Sequence, residues 1–350
     1  MAYISFQPKD YFNTKLYTGN NSTNAQTGVG FQSDLSWFKR RDSGAQHSLF
    51  DSVRGVTKGL ASNATDAEST ITDALTSFDS DGFTLGSDSG NYINLNSATY
   101  VAWNWKGGTT SGITTNGSTV VTPSAYSFNQ TSGFSIVKYA GNGNTTTKVA
   151  HGLGAAPKMI IIKNLDDGGD NWKVYHVGIG NTTALQLDNT GSTSGGSDNF
   201  YDTDPDTVNF TLGNHVSVNN SGENYIAYCF AEVRGFSKIG SYTGNGNTDG
   251  PFIYTGFKPA FVIIKKSTGS AQDWIMIDNK RGVFNTFGER LYTNLNDAED
   301  TSGEYFDFYS NGFVVKTNTA LWNNDNSTYV YMAFAEEPLV ASNGDPATAR

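Results

Sequence analysis

Two Gly-Asn-Gly loops, at 141–143 and 244–246, are the first residues whose spacing suggests chemistry. A phosphate cradle needs such a loop between a strand and a helix, often with a lysine. Here each loop leads instead through Gly, Pro and apolar residues into another strand, so it reads as a hairpin turn. The four histidines, His47, His151, His176 and His215, form neither His-x-x-x-His nor His-Glu-x-x-His, the metal-ligand spacings on a helix. Cys229 would need a base and an electropositive setting to act as a nucleophile. It occupies a small-residue slot in a strand, which points to packing. No Gly-x-Ser-x-Gly elbow is present; that motif would mark an esterase-type serine.

The carboxylates offer more. "FDSDG" (78–82) and "YDTDPD" (201–206) alternate Asp as calcium loops do. The twelfth-position Glu is missing, and the counterpart "FYSNG" (308–312) carries no acid. A calcium site shared by all three places is therefore not expected, which leaves at most one ion at 201–206. Glu232 and Glu336 occupy matching slots in different segments, with Lys106 in the third such slot. Nothing sets two carboxylates across a sugar bond, as glycoside cleavage needs. Asp51 with Arg54, and Asp278 with Arg281, repeat as Asp-x-x-Arg. The expectation is a local loop ion pair worth about 0–1 kcal/mol, or a contact with a neighbouring subunit. Trp172, Trp274 and Trp322 are candidates for stacking on sugar rings. "LWNNDN" (321–326) sets Trp322 beside Asn323, Asn324 and Asp325. A flat ring can cover a sugar face while amides bond its hydroxyls. These six residues are the candidate ligand or partner contacts. Trp172 and Trp274 are also expected to be partly core. No residue pattern calls for a cofactor or a metal, so none is assigned.

The elements that position these residues follow from composition. The 350 residues include 39 Gly, 22 Phe and 18 Tyr, with only 16% charged. Short apolar runs in a Gly/Asn/Ser/Thr background mean many short strands and turns, hence an all-β fold. The net charge of -10 and the lack of a Lys/Arg stripe exclude a phosphate-backbone partner. No window approaches the 18 apolar residues of a membrane span. The single cysteine permits no internal disulfide. The start "MAYISFQPKDYF" has neither the basic nor the apolar region of a secretory signal. Synthesis in a reducing cytoplasm is expected.

The chain repeats itself three times. "LYTGNN", "KYAGNGN" and "SYTGNGN" open the segments; "TYVAWNWK", "NYIAYCFAE" and "TYVYMAFAE" close them. Tyr17 to Tyr100, Tyr139 to Tyr225 and Tyr242 to Tyr329 span 83, 86 and 87 residues. Such near-equal spacing is the signature of copied modules. Between them, "GFQSDLSWFK", "GLGAAPKMIIIK" and "GFKPAFVIIK" each end an apolar run in Lys. The closing strands alternate bulky and small residues, as half-buried antiparallel strands do. The continuous runs suit central strands covered on both faces. The expected architecture is three tandem antiparallel β-sandwich repeats, jelly-roll or lectin-like, with few short helices. Residues 1–106 form repeat one with an N-terminal arm, and 107–133 a Gly/Ser/Thr-rich connector with one added hairpin. Residues 134–234 form repeat two, 235–340 repeat three, and 341–350 a C-terminal tail. Helical turns are expected within 63–78 and 294–306 from their Ser/Asn/Asp caps and Ala/Glu content.

The strings "MAYISFQPKDYFNTKLYTGN", "LFDSVRG", "SFDSDGFTLG", "YVAWNWK", "GSYTGNGN" and "PATAR" resemble a repeat family encoded by tailed bacteriophages of marine bacteria. The likeness covers nearly the whole chain. That family has Pro before the acidic residue of its first Gly-Phe element; Ser33 stands there in this chain, while Pro157 and Pro259 are kept in the later segments. The resemblance implies a virion structural protein on the particle surface, and it brings no catalytic residues. The resulting expectation is a non-enzymatic tail-fibre or tail-associated adhesion component contacting the host surface. Its expected partners are other virion proteins, a host glycan or receptor, and further copies of itself, a homotrimer by analogy with appendages. The alternatives are a capsid-decorating or vertex-appendage protein, and a glycan-binding or glycan-cleaving depolymerase-like protein.

Overall fold

A computed structural model describes residues 6–338; the expected tail at 341–350 and the first five residues lie outside them. The fold is all-β, with several antiparallel sheets arranged in β-sandwich layers. Three large sheets carry the opening and closing motifs. The first orders its strands Phe12–Thr18, Thr99–Trp105, Leu35–Arg40, Ser48–Asp51. The second contains Phe134–Ala140, Asn224–Phe230, Met159–Asn164, Lys173–His176 in the same order. The third contains Ser237–Thr243, Thr328–Pro338, Phe257–Lys266, Ile275–Asp278, again in that order. Register repeats as well: Tyr17 pairs with Tyr100, Tyr139 with Tyr225 and Tyr242 with Tyr329.

The alternation in the closing strands decides the packing. Val101, Trp103 and Trp105 face one apolar core together with Ile226, Tyr228 and Phe230, and with Val330, Met332 and Phe334. All three large sheets thus share a common interior. The opposite faces of those strands are covered too. Tyr100 and Ala102, Tyr225 and Cys229, and Tyr329 and Ala333 each pack into a separate outer core. A small sheet closes each outer core: Asn24–Thr27, Gly82–Leu85 and Leu75–Asp79; Thr147–Ala150 and Asn209–Leu212; Phe252–Tyr254, Gly312–Val315 and Phe306–Tyr309. The closing strands are therefore buried on both faces, not half-buried as their alternation suggests. The small residues are small because a second layer lies against them.

The Gly/Ser/Thr-rich stretch does supply a hairpin, since Ala125–Asn129 pairs with Phe134–Ala140. The helical turns expected within 63–78 and 294–306 do not form. Short strands at Ser69–Thr70 and Leu75–Asp79 fall in the first stretch, and the second has no helix. Backbone groups of both segments bond across to other sheets. Glu68 N–H donates to the Leu165 carbonyl and Glu299 N–H to the Arg41 carbonyl. Tertiary hydrogen bonds outweigh a local helix preference worth a few tenths of a kcal/mol per residue. The short helices lie at Pro8–Asp10, Ser197–Phe200 and Val216–Asn219. None of the helices among the described residues is long and apolar enough to cross a membrane.

Candidate functional site

The six candidate contact residues do not form one surface. Trp322 is 2% exposed and packs on Tyr305 and Phe306 in the third outer core. Trp172 and Trp274 lie in the common core. Their indole N–H groups donate to the Ala61 carbonyl at 3.0 Å and the Gln186 carbonyl at 2.7 Å. No ring face of the three is open for a sugar to stack upon. Asn324 and Asp325 are exposed, whereas Asn323 is buried. Its amide donates to the Asn247 and Thr317 carbonyls at 2.8 and 2.9 Å, and its Oδ1 accepts from Asn245 N–H at 2.8 Å.

That pattern recurs. Asn94 donates to the Ser22 and Gly86 carbonyls, and Asn219 to the Asn144 and Gly213 carbonyls. Their Oδ1 atoms accept from Asn20 and Asn142 N–H. Each amide pins the Gly-Asn turn of its own sheet, so the turns bind side chains of this chain and do not present a phosphate cradle. Gly19, Gly141 and Gly244 are needed because a Cβ would collide with the carbonyls of Leu95, Asn220 and Asn324. The asparagines were missed in the sequence reading, although a signal was there: each stands six residues before the closing Tyr.

The other chemistry-bearing residues join the sheets. The Asp-x-x-Arg pairs are fully buried, with Arg54 Nε 2.5 Å from Asp51 and Arg281 Nε 2.6 Å from Asp278. Neighbouring sheets complete them: Tyr228 donates its hydroxyl to Asp51 at 2.7 Å, and Trp103 its indole N–H to Asp278 at 2.9 Å. The expected loop pair worth about 0–1 kcal/mol is thus corrected to an interior network; removing one partner of such a pair costs about 3–5 kcal/mol. In the second sheet His176 holds the matching place and donates Nε2–H to the Tyr331 carbonyl at 3.1 Å. Burial pushes its pKa down to about 4. His47 accepts from the Trp37 indole N–H and donates to the Tyr292 carbonyl. Burial holds it well below the usual imidazole value.

The lysines that end the apolar runs act alike. Lys39, Lys163 and Lys265 are buried and donate to the carbonyls of Asn296, Thr65 and Thr190 respectively, each on a segment of another sheet. Burial lowers all three pKa values, Lys39 and Lys265 to about 8. Cys229 is buried, and desolvation drives its pKa upward, away from thiolate chemistry. Among the described residues no three His, Cys, Asp or Glu side chains cluster to hold a metal ion.

One outward surface stands apart. On the small sheet that covers the third outer core, Phe252, Val314 and Asp307 form one row by register; Tyr254, Gly312 and Tyr309 form the next. Phe252 is 49% and Tyr254 55% exposed, and Phe252 meets Tyr309 edge-on at 6.2 Å. The Asp249–Lys316 pair lies at the rim, at 2.8 Å. The corresponding rows of the first small sheet are Ala25, Thr84, Ser77 and Thr27, Gly82, Asp79. In the second they hold Lys148 with Thr211 and Ala150 with Asn209. Aromatic side chains thus replace small and polar ones on the same backbone frame. The sequence did not reveal this face, because only strand pairing shows that 252–254 and 307–314 share it. No curated protein and no solved structure matches this chain. A family model does match, over residues 7–338, and its description is a domain of unknown function, DUF7483; the chain belongs to that family.

Proposed function

We propose that the chain is a non-enzymatic structural protein of a tailed-bacteriophage virion, a tail-associated adhesion component that touches a host-surface glycan or receptor. Three copies of one jelly-roll-like module, joined around a common core, make up its body. The shared strand order and the three stacked tyrosine pairs, with ring centroids 5.0–5.3 Å apart, support that reading. The resemblance to phage-encoded repeat proteins supports the virion setting. The buried ion pairs, the buried histidines and the buried carbonyl-bound lysines hold sheets together, which suits a rigid contact body better than a reaction centre.

The observation that carries the contact reading is the Phe252–Tyr254–Tyr309 face. Clustered aromatic side chains that stay half exposed mark recognition surfaces. Replacing Phe252 and Tyr254 together by Ala is expected to lower binding of the purified protein to host cells at least tenfold, with the melting temperature unchanged. Equal binding by that variant would remove the face from the account. Labelled antibody viewed on intact particles by electron microscopy tests the virion setting separately; label on the capsid alone would favour a decoration role.

A further inference from the structure

The junction between the third and first sheets differs from its counterpart between the first and second. In the latter, Asp34 stands just before the core residue Leu35 and is buried. Its carboxylate accepts from Ser52 Oγ at 2.6 Å, Ser127 Oγ at 2.8 Å and Gly107 N–H at 2.9 Å. Backbone pairing fixes the equivalent residues. Ser52 N–H donates to the Asp34 carbonyl, and Asn279 N–H donates to the Ala260 carbonyl in the same way. Ala260 thus stands where Asp34 does, and Asn279 where Ser52 does. At the remaining junction the slot holds Lys158, which pairs with Glu232 at 3.0 Å.

Ala260 brings no carboxylate to the slot that Asp34 fills at the other junction. A cavity of about 260 Å³ lies beside Ala260, lined among others by Lys9, Thr14, Ala260, Asn279, Lys280 and Glu336; a larger one, of about 400 Å³, lies beside Asp34 and Ser52 at the other junction, so what sets this site apart is its unmatched polar lining. Asn279 is 2% exposed, yet neither its Nδ2 nor its Oδ1 has a hydrogen-bond partner. Thr14 is 7% exposed, and its Oγ1 is equally unpartnered. A buried polar group without a partner is destabilising, so polar atoms from outside would be favoured here. Lys9 and Lys280 bring positive charge to the wall, and Lys258 pairs with Glu336 at 3.3 Å. This is a basic lining in a chain of net charge -10.

We propose that this cavity binds a hydroxylated carboxylate, specifically an acidic sugar of the uronic type. Its carboxylate takes the place that the Asp34 side chain fills at the other junction, accepting from Asn279 Nδ2 and Thr14 Oγ1 near the two lysines. A neighbouring sugar hydroxyl donates to Asn279 Oδ1, which a carboxylate alone would leave unmet. The site is separate from the aromatic face and stands whether or not that face binds anything.

Calorimetric titration of the full chain tests the assignment with four probes: sodium glucuronate, glucose, lactate and a short oligoalginate. Glucuronate and oligoalginate are expected to bind at least tenfold more tightly than glucose and lactate. Equal affinity for glucose would overturn the carboxylate, and lactate matching glucuronate would overturn the sugar. Ala260→Asp restores the internal carboxylate and is expected to abolish glucuronate binding. Lys280→Glu, on an exposed residue whose change leaves the core intact, is expected to weaken it at least tenfold with an unchanged melting temperature. Binding by both variants as tight as that of the unaltered chain would sink the proposal.

Discussion

His176 shows how burial turns a titratable residue into a structural one. Its Nε2–H is committed to the Tyr331 carbonyl, and its Nδ1 accepts from Gly178 N–H. A second proton would sit on Nδ1 facing a donor, within a dry interior. The folded pKa is therefore about 4, against about 6.5 for an unfolded histidine. Between those values the unfolded chain binds a proton that the folded chain refuses. Stability is fully present above pH 6.5 and falls as pH drops toward 4, at about 1.4 kcal/mol per unit for this residue. Urea unfolding from pH 7 to 4.5 should show at least that slope, since buried His47 adds its own, and His176→Gln should reduce it by the share of one histidine. A variant with the same acid dependence would show that other groups carry it. His176 stands in the second sheet where Asp51 and Asp278 stand in the first and third, and the sequence did not show why. Asp51, His176 and Asp278 all meet the sheet alongside, so each type solves the same interface differently.

At the scale of elements, the Gly-Asn turns stay formed because an amide six residues ahead of the closing Tyr holds them. Asn219 is buried, donates to two carbonyls and to Thr147 Oγ1, and accepts from Asn142 N–H. Asn219→Ala removes all of these and leaves the carbonyls dry. The expected cost is about 2–4 kcal/mol in chemical denaturation, given about 1–3 kcal/mol for each buried group left unmet. A loss below about 1 kcal/mol would mean that water takes over the amide's place. The turns themselves were legible from Gly and Asn; their latch was not, because it joins residues far apart in the chain. The failed helices at 63–78 and 294–306 have the same cause. Their Ala, Glu and Asp satisfy local helix rules, yet Lys163 and Lys39 draw carbonyls of those segments into other sheets.

For the whole molecule, the common core sets the unit of stability. Trp105 packs against Phe134 and Phe230 of the second sheet and Phe261 and Phe334 of the third. Residues 134–234 expressed alone would expose Ile136, Ile161, Tyr228 and Phe230, all buried in the full chain. Each such side chain contributes about 1.5–3 kcal/mol when buried. The isolated segment is expected to lack a dispersed amide spectrum and to bind hydrophobic dye, while the full chain unfolds in one cooperative transition. A well-folded isolated segment would show that the outer cores suffice. The sequence by itself determined the strand class, the threefold recurrence and the alternation in the closing strands, because side-chain period and turn residues act over a few positions. It left open where each face of those strands goes. Only the tertiary structure decided that the bulky faces converge on one interior, that Trp172, Trp274 and Trp322 are covered, and that Ala260 leaves Asn279 unmet. Those outcomes depend on which sheet lies beside which, a property of packing between distant segments that no local pattern encodes.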